Sequence, residues 1–111
     1  MNAVVTDWID VGPLSAIPAR GARVVKVRGG CVALFRTHDD RVFALDDRCP
    51  HRGGPLSEGI VTDRAVTCPL HNRVIAFETG ATDEPGEPPV PTHPVRVAEG
   101  RVLLCAGLAG R

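Results

Sequence analysis

The sequence predicts an all-β fold built from antiparallel strands. Short runs rich in Val, Ile, Leu and Phe alternate along the chain with turn signals such as Gly-Gly, Gly-Pro and Asp-Asp, a pattern typical of consecutive hairpins. No stretch shows the periodicity of a long amphipathic helix. Because the chain has 111 residues, we expect one domain with its own hydrophobic core.

The first half of the chain is predicted to form an opening strand and a three-stranded meander. Trp8 lies in the opening strand, which Gly12-Pro13 ends, and is expected to anchor the core. Gly29-Gly30 is a hairpin signal between two apolar runs. A turn that contains His38, which we expect to be solvated, leads to the last strand of the meander. The predicted strands are residues 7–11, 23–28, 31–36 and 41–45, with a short turn at 14–17.

The second half is predicted to contain two further hairpins, separated by a proline-rich segment. Asp63-Arg64 marks the turn of the first hairpin and Glu99-Gly100 the turn of the last. Five prolines between residues 85 and 94 exclude a central strand or a helix there. The predicted strands are residues 59–61, 65–67, 74–77, 95–97 and 101–105.

Composition excludes several classes of function. Thirteen basic and thirteen acidic residues cancel, so we do not expect a general affinity for nucleic acid phosphates. One Trp, three Phe and no Tyr leave little surface on which single-stranded bases could stack. The N-terminus lacks the pattern of a signal peptide, and no apolar run is long enough to span a membrane. We therefore expect a cytoplasmic protein with no nucleic acid or membrane partner.

Two Cys/His pairs carry the chemistry of the chain. Cys49-Pro50-His51 and Cys68-Pro69-Leu70-His71 are separated by sixteen residues, so each of two loops offers one thiolate and one imidazole. This donor set suits a tetrahedral zinc ion, or a 2Fe-2S cluster in which Cys binds one iron and His the other. Mixed pairs favour the cluster, because zinc modules usually place two Cys in one knuckle and two His on a helix.

The other two cysteines are not expected to bind metal. Cys31 and Cys105 lie in apolar runs that are predicted to be strands. We expect both to be buried free thiols that act as small hydrophobic side chains.

The two ligand loops resemble the Rieske 2Fe-2S motif. The residues that carry the resemblance are Cys-Pro-His-Arg-Gly-Gly-Pro-Leu-Ser-Glu-Gly at 49–59 and Cys-Pro-Leu-His-Asn at 68–72. Within that superfamily the chain is most similar to the small subunit of assimilatory NAD(P)H-dependent nitrite reductase, on residues 55–61, Leu70, Asn72 and 90–97. Arg73 departs from that subfamily, which usually has an aromatic residue after the Asn.

The resemblance implies the fold and the cofactor site. We expect a Rieske-type domain over residues 5–106, an antiparallel β-sandwich with a small rubredoxin-like cluster-binding subdomain at about 46–80. Cys49 and Cys68 would bind the inner iron of a 2Fe-2S cluster, and His51 and His71 the outer iron. In Rieske-like domains a proline-rich loop covers the cluster, so we expect residues 85–94 to be either such a cover or a rigid connector.

The resemblance also implies a function in electron transfer. The chain would have no catalytic residues of its own and would support, in nitrate assimilation, nitrite reduction to ammonium by a large subunit that holds FAD, a 4Fe-4S cluster and sirohaem. The alternative is a free Rieske ferredoxin between a flavoprotein reductase and a ring-hydroxylating oxygenase. Such carriers commonly have an aromatic residue and a Gly beside the second His, where this chain has Leu70 and Asn72. A zinc-stabilised binding module is a third reading.

Residues near the ligands predict the redox potential. High-potential Rieske proteins carry a disulfide between the loops, and Ser and Tyr hydroxyl groups bonded to cluster sulfur. Here Gly54 and Leu70 occupy the extra Cys positions, Arg73 stands where the Ser would be, and the chain has no Tyr. With fewer hydrogen-bond donors to cluster sulfur, the reduced cluster is less stabilised. We therefore predict a midpoint potential in the lower part of the Rieske range of roughly −150 to +300 mV.

Three arginines on or beside the ligand loops suggest a docking surface. Arg48, Arg52 and Arg73 could form a basic rim that steers the chain onto an acidic partner. The alternative is that they are ordinary solvated loop charges.

Overall fold

The computed structural model describes residues 8–27, 30–48, 54–69 and 72–105. These residues form ten strands and two single-turn 3-10 helices in three antiparallel sheets, so the predicted all-β class is confirmed. The strands are β1 (Trp8–Pro13), β2 (Ala22–Val27), β3 (Gly30–Arg36), β4 (Val42–Asp46), β5 (Ile60–Val61), β6 (Ala65–Thr67), β7 (Val74–Ala76), β8 (Thr92–His93), β9 (Val95–Ala98) and β10 (Arg101–Cys105). The 3-10 helices are Leu14–Ala16 and Leu56–Glu58.

The largest sheet has the strand order β2-β3-β4-β8 and contains the predicted meander. β2 and β3 form the predicted hairpin, but Gly30 belongs to β3, where it pairs with Val27, and not to the turn; residues 28–29 lie outside the described residues. β8 was not predicted, because it has only two residues and lies between Pro91 and Pro94. It occupies the edge of the sheet, where a strand needs partners on one side only.

The second sheet has the order β1-β10-β9 and joins the two ends of the described chain. Its hairpin is confirmed: Glu99 and Gly100 have φ values of 53° and 77°, as a tight two-residue turn requires. Arg101 donates two hydrogen bonds of 3.1 Å to the Asp10 carboxylate. These bonds, together with one from the Gly12 N–H, hold the pKa of Asp10 below its ordinary value.

The third sheet, β5-β6-β7, is small and lies next to the predicted ligand loops. Its strands correspond to the predicted strands between residues 59 and 77. Cys68 follows β6 directly, so this sheet carries the second ligand loop.

The central sheet, β2-β3-β4-β8, is covered on both faces. Val32 and Leu34 pack with residues of β10 in one core cluster, whereas Ala33 and Phe35 pack with residues of β6 and β7 in the other. Since successive side chains of a strand point to opposite faces, β3 must be apolar at consecutive positions. The two larger sheets therefore form the expected sandwich, and the small sheet packs on the outer face of the central one.

Two predictions about single residues are wrong. Trp8 is only partly buried on the edge strand β1, where the Arg96 guanidinium lies 4.6 Å from its ring centroid. Cys31 is exposed, because the first two residues of β3 project beyond the layers that cover it. Cys105 is a buried free thiol, as predicted. His38 is exposed as predicted, and its Nδ1 lies 2.6 Å from an Asp63 carboxylate oxygen.

Among the described residues, no helix is long and apolar enough to cross a bilayer.

Candidate iron-sulfur site

The structure describes one of the four predicted ligands, Cys68. Cys49, His51 and His71 lie outside the described residues. For this reason, no group of three or more His, Cys, Asp or Glu side chains in the described part of the chain could hold a metal ion. The site is therefore defined by Cys68 and by the residues that flank the other three ligands.

Cys68 begins a loop whose two ends are hydrogen bonded to each other. Its N–H donates to the Arg73 carbonyl at 2.7 Å, and its own carbonyl accepts the Asn72 N–H at 3.0 Å. Asn72 has a left-handed φ of 56°, which Asn tolerates better than most residues. The second ligand loop is thus closed at its base before the chain enters β7.

Asp47 joins the two ends of the first ligand loop. Its carboxylate accepts hydrogen bonds from the Ser57 N–H at 2.7 Å and the Ser57 hydroxyl at 3.0 Å. Its own N–H donates to the Cys31 carbonyl at 3.0 Å. Sequence reasoning missed Asp47, because an Asp ten residues before a Ser has no local signature; the only signal was the resemblance of the segment that contains Ser57.

Asp46 ties the start of the same loop to the proline-rich segment. Its N–H donates to the Pro91 carbonyl at 3.0 Å, and its carboxylate lies 2.7 Å from Nε2 of His93. The His93 side chain is only 12% exposed, so this contact is part of the packing. His93 was noted in the sequence only as part of the resemblance at residues 90–97.

One core cluster lies beneath both loops. Cys68 has no exposed surface and belongs to the same buried cluster as Leu56, Phe77 and Val90. Leu56 follows the first ligand loop, and Cys68 begins the second. Phe77 stacks on Phe43, with ring centroids 5.0 Å apart and an interplanar angle of 10°. The packing of a single core therefore fixes the ends of both loops relative to each other.

The proline-rich segment is packed against this site. Val90 is 2% exposed, and its N–H donates to the Gly80 carbonyl at 2.8 Å. Gly80 has a φ of +75°, and a Cβ there would lie 1.9 Å from the Val90 carbonyl oxygen. The segment is thus a packed part of the fold. Whether it also covers the cluster stays a prediction, because the tips of both ligand loops lie outside the described residues.

The structure contradicts the basic rim at one of its three positions. Arg73 is only 22% exposed, and its Nη1 lies 2.9 Å from a Glu84 carboxylate oxygen. Its charge is therefore engaged within the molecule. Arg48 is exposed, and Arg52 lies outside the described residues.

The described residues fit an iron-sulfur cluster. A cysteine that binds an iron-sulfur cluster cannot be part of a disulfide, and burial limits the access of water and oxidants to its sulfur. Cys68 is both free and buried, and it stands in a hydrogen-bonded loop whose sequence supplies an imidazole three positions later. A thiolate and an imidazole together are the donor set of the mixed Rieske centre.

Comparison with known proteins identifies the family. Residues 7–105 match the Rieske-like 2Fe-2S domain family. The anthranilate 1,2-dioxygenase ferredoxin subunit of Burkholderia cepacia is 42% identical over 96% of this chain and 98% of its own length. A solved chain described as an NADH-dependent nitrite reductase small subunit from Mycobacterium tuberculosis superposes with a TM-score of 0.82 and 30% identity, over 91% of this chain and 96% of that one.

A second solved structure comes from a complex of reduced oxygenase and oxidised ferredoxin in carbazole 1,9a-dioxygenase. The similar chain in it has a TM-score of 0.78 and 29% identity, over 89% of this chain and 93% of that one. The resemblance noted in the motif is thereby confirmed over nearly the whole chain. This protein belongs to the Rieske-like 2Fe-2S domain family, and its cofactor is a Rieske 2Fe-2S cluster.

Proposed function

We propose that the chain is the ferredoxin of a multicomponent oxygenase that hydroxylates aromatic rings, and that it carries single electrons from a flavoprotein reductase to the oxygenase. The observation that carries this proposal is the nearly full-length match to a dioxygenase ferredoxin subunit. A dioxygenase ferredoxin subunit from Photorhabdus laumondii is also 40% identical, over 79% of this chain. These relatives favour the oxygenase ferredoxin over the nitrite reductase subunit that the motif residues suggested.

The ligand assignment is part of the proposal. Cys49 and Cys68 would bind the inner iron, and His51 and His71 the outer iron, within a cluster-binding subdomain at about 46–80 of a domain that spans 5–106. When bound, the cluster supplies a one-electron redox couple. The described residues support this assignment through Cys68, which is buried, and through the hydrogen bonds of Asp47 and Arg73 that close the two loops.

The second candidate is a nitrite reductase small subunit. It is supported by the superposition on the Mycobacterium tuberculosis chain and by the motif residues at 55–61. In that case the partner would be a large subunit with FAD, a 4Fe-4S cluster and sirohaem, and the chain alone would not be catalytic. A cytoplasmic location is expected for either candidate.

A deletion strain separates the two candidates. The gene for this chain would be deleted in the organism of origin, and growth would be measured with nitrite as the sole nitrogen source and, separately, with aromatic acids such as anthranilate as the sole carbon source. We expect loss of growth on an aromatic substrate and normal growth on nitrite. Complementation with the wild-type gene should restore growth, whereas Cys68→Ser should not. If the deletion strain fails to grow on nitrite but grows normally on aromatic acids, the ferredoxin proposal is wrong and the nitrite reductase subunit takes its place.

A further inference from the structure

Arg73 links the second ligand loop to the proline-rich segment through two acidic side chains. Its Nη1 lies 2.9 Å from Glu84 Oε1, and its Nε lies 3.6 Å from Glu87 Oε1. The Arg73 and Glu87 side chains are 22% and 15% exposed, and Glu84 is 46% exposed. We call this group of three residues the Arg73 clasp. Arg73 and Glu87 are mostly shielded from solvent, whereas Glu84 is half exposed, so solvent screens the 2.9 Å pair and its contribution is expected to be modest.

The backbone of Arg73 also contacts the ligand loop. Its carbonyl accepts the Cys68 N–H at 2.7 Å, so the residue that forms the clasp also closes the base of the ligand loop. Arg73 lies two positions after His71 in the sequence. A displacement of Arg73 would therefore disturb the hydrogen bond that holds the backbone of Cys68, one of the two predicted ligands of this loop.

The acidic side of the clasp is fastened independently of Arg73. Val74 and Asp83 exchange two hydrogen bonds, from the Val74 N–H to the Asp83 carboxylate at 3.2 Å and from the Asp83 N–H to the Val74 carbonyl at 3.1 Å. Val90 closes the other end of the segment on Gly80. Glu84 and Glu87 lie between Asp83 and Val90 in the sequence, and their carboxylates lie near the Arg73 guanidinium.

The Arg73 clasp also sets the net charge beside the second ligand loop. An unpaired arginine near the cluster would favour the reduced form, because reduction adds one negative charge. Two carboxylates beside Arg73 offset that charge and leave the group with a net negative charge. The clasp should therefore both hold the loop in place and lower the potential relative to an arginine without partners.

We propose that Arg73 is a positioning residue of the electron-transfer site, and that it acts through Glu84 and Glu87. The clasp holds the proline-rich segment against the second ligand loop and sets the charge next to that loop. This inference rests on the assignment of Cys68 and His71 as cluster ligands. It accounts for the position at which the chain departs from the nitrite reductase subfamily, where an aromatic residue is usual.

The test compares variants from both sides of the clasp in the purified cluster-loaded protein. Arg73→Gln should lower the midpoint potential, whereas Glu84→Gln and Glu87→Gln should raise it, since each carboxylate removed takes away a negative charge. All three variants should lose their cluster to a chelator faster. The rate should rise about two- to fivefold, the range expected for loss of one partly exposed ion pair. Arg73→Lys keeps the charge and should retain most of the wild-type potential.

Arg101→Gln is the matched control, because it breaks the Asp10 pair on the sheet whose β10 packs in the other core cluster from Cys68. It should leave the potential and the rate of cluster loss unchanged. The proposal is overturned if the glutamine variants at positions 73, 84 and 87 have wild-type potentials and rates, even when their melting temperatures fall. If Cys68→Ser retains its iron, the ligand assignment itself is wrong, and that result is distinct from failure of the clasp.

Discussion

Cys68 and Cys105 are both buried free thiols, with 0% and 2% of their surface exposed. What differs is the backbone around them. Cys105 lies within the ladder of β10 and pairs with Trp8, so its side chain only fills space. Cys68 follows β6 and begins a loop that its N–H closes by donating to the Arg73 carbonyl, and the sequence of that loop supplies a second predicted ligand, His71. Burial alone therefore does not distinguish a ligand from a packing thiol.

At the residue scale we predict that Cys68→Ser and Cys105→Ser behave differently. Cys68→Ser should lose the iron and acid-labile sulfide, because a serine does not replace a thiolate ligand of the cluster. Cys105→Ser should keep both and should lower the free energy of unfolding by about 1–3 kcal/mol, the cost of burying a hydroxyl group without a partner. Iron and sulfide analysis with chemical denaturation measures both effects. Full cluster content in Cys68→Ser would exclude this residue as a ligand.

At the residue scale, the sequence predicts the ligands but not the contacts that hold their loops. The donor set was readable because two Cys/His pairs stand at short, fixed spacing. The sequence does not predict the ion pair of Arg73 with Glu84 or the hydrogen bonds that Asp47 accepts from Ser57. Each of these contacts joins residues that are ten or more positions apart. The burial of Cys31 was predicted wrongly for a related reason: the sequence shows an apolar strand but not where the covering layers end.

At the scale of elements, the fit of the proline-rich segment depends on one glycine. Gly80 has a φ of +75° and lies against the Val90 backbone, so that a Cβ would meet the carbonyl oxygen at 1.9 Å. Gly86 has a similar φ of +84°, but nothing lies within 4 Å of its Cβ position. Both glycines therefore have a left-handed backbone that disfavours other residues, but only Gly80 also lacks room for a Cβ atom.

We predict that Gly80→Ala lowers the free energy of unfolding by about 3 kcal/mol or more, since backbone strain of about 1–2 kcal/mol adds to an overlap that the backbone must move to relieve. Gly86→Ala should cost only the strain, about 1–2 kcal/mol. Denaturant unfolding of both variants provides the comparison. Equal losses would mean that the contact between Gly80 and Val90 does not hold the segment in place.

Most strands were predictable because their signals are local, whereas the arrangement of the sheets was not. The turns at Asp63-Arg64 and Glu99-Gly100 lie where the sequence places them. The pairing of β1 with β10 joins residues from opposite ends of the described chain, and no local pattern specifies it. β8 was missed because two residues between prolines carry no strand signal of their own.

At the scale of the whole molecule, three sheets pack in layers, and the described residues that flank the two predicted ligand loops share one core. The central sheet packs against both of its neighbours, so the small sheet that carries Cys68 shares a core with the first ligand loop through Leu56. The Rieske-like domain and the ferredoxin relatives indicate that the chain is an electron-transfer protein.

The composition of the whole chain predicts its redox potential. With no Tyr in 111 residues, no phenolic hydroxyl can bond to cluster sulfur, and Gly54 and Leu70 leave no thiols for a disulfide between the loops. The Arg73 clasp adds a net negative charge beside the second loop. Each of these features makes the reduced cluster less stable than it is in high-potential Rieske proteins. We therefore expect a midpoint potential in the lower part of the range of roughly −150 to +300 mV.

A redox titration of the purified protein, followed by EPR, measures this potential directly. A low value suits electrons that come from NAD(P)H through a flavoprotein reductase. Such a potential still lies above that of the donor, so the cluster can be reduced, and the reduced cluster remains a good reductant for the next protein. A value well above zero would require hydrogen-bond donors to cluster sulfur that the described residues do not reveal. It would also place the chain with carriers that accept electrons from quinols, against both functional candidates.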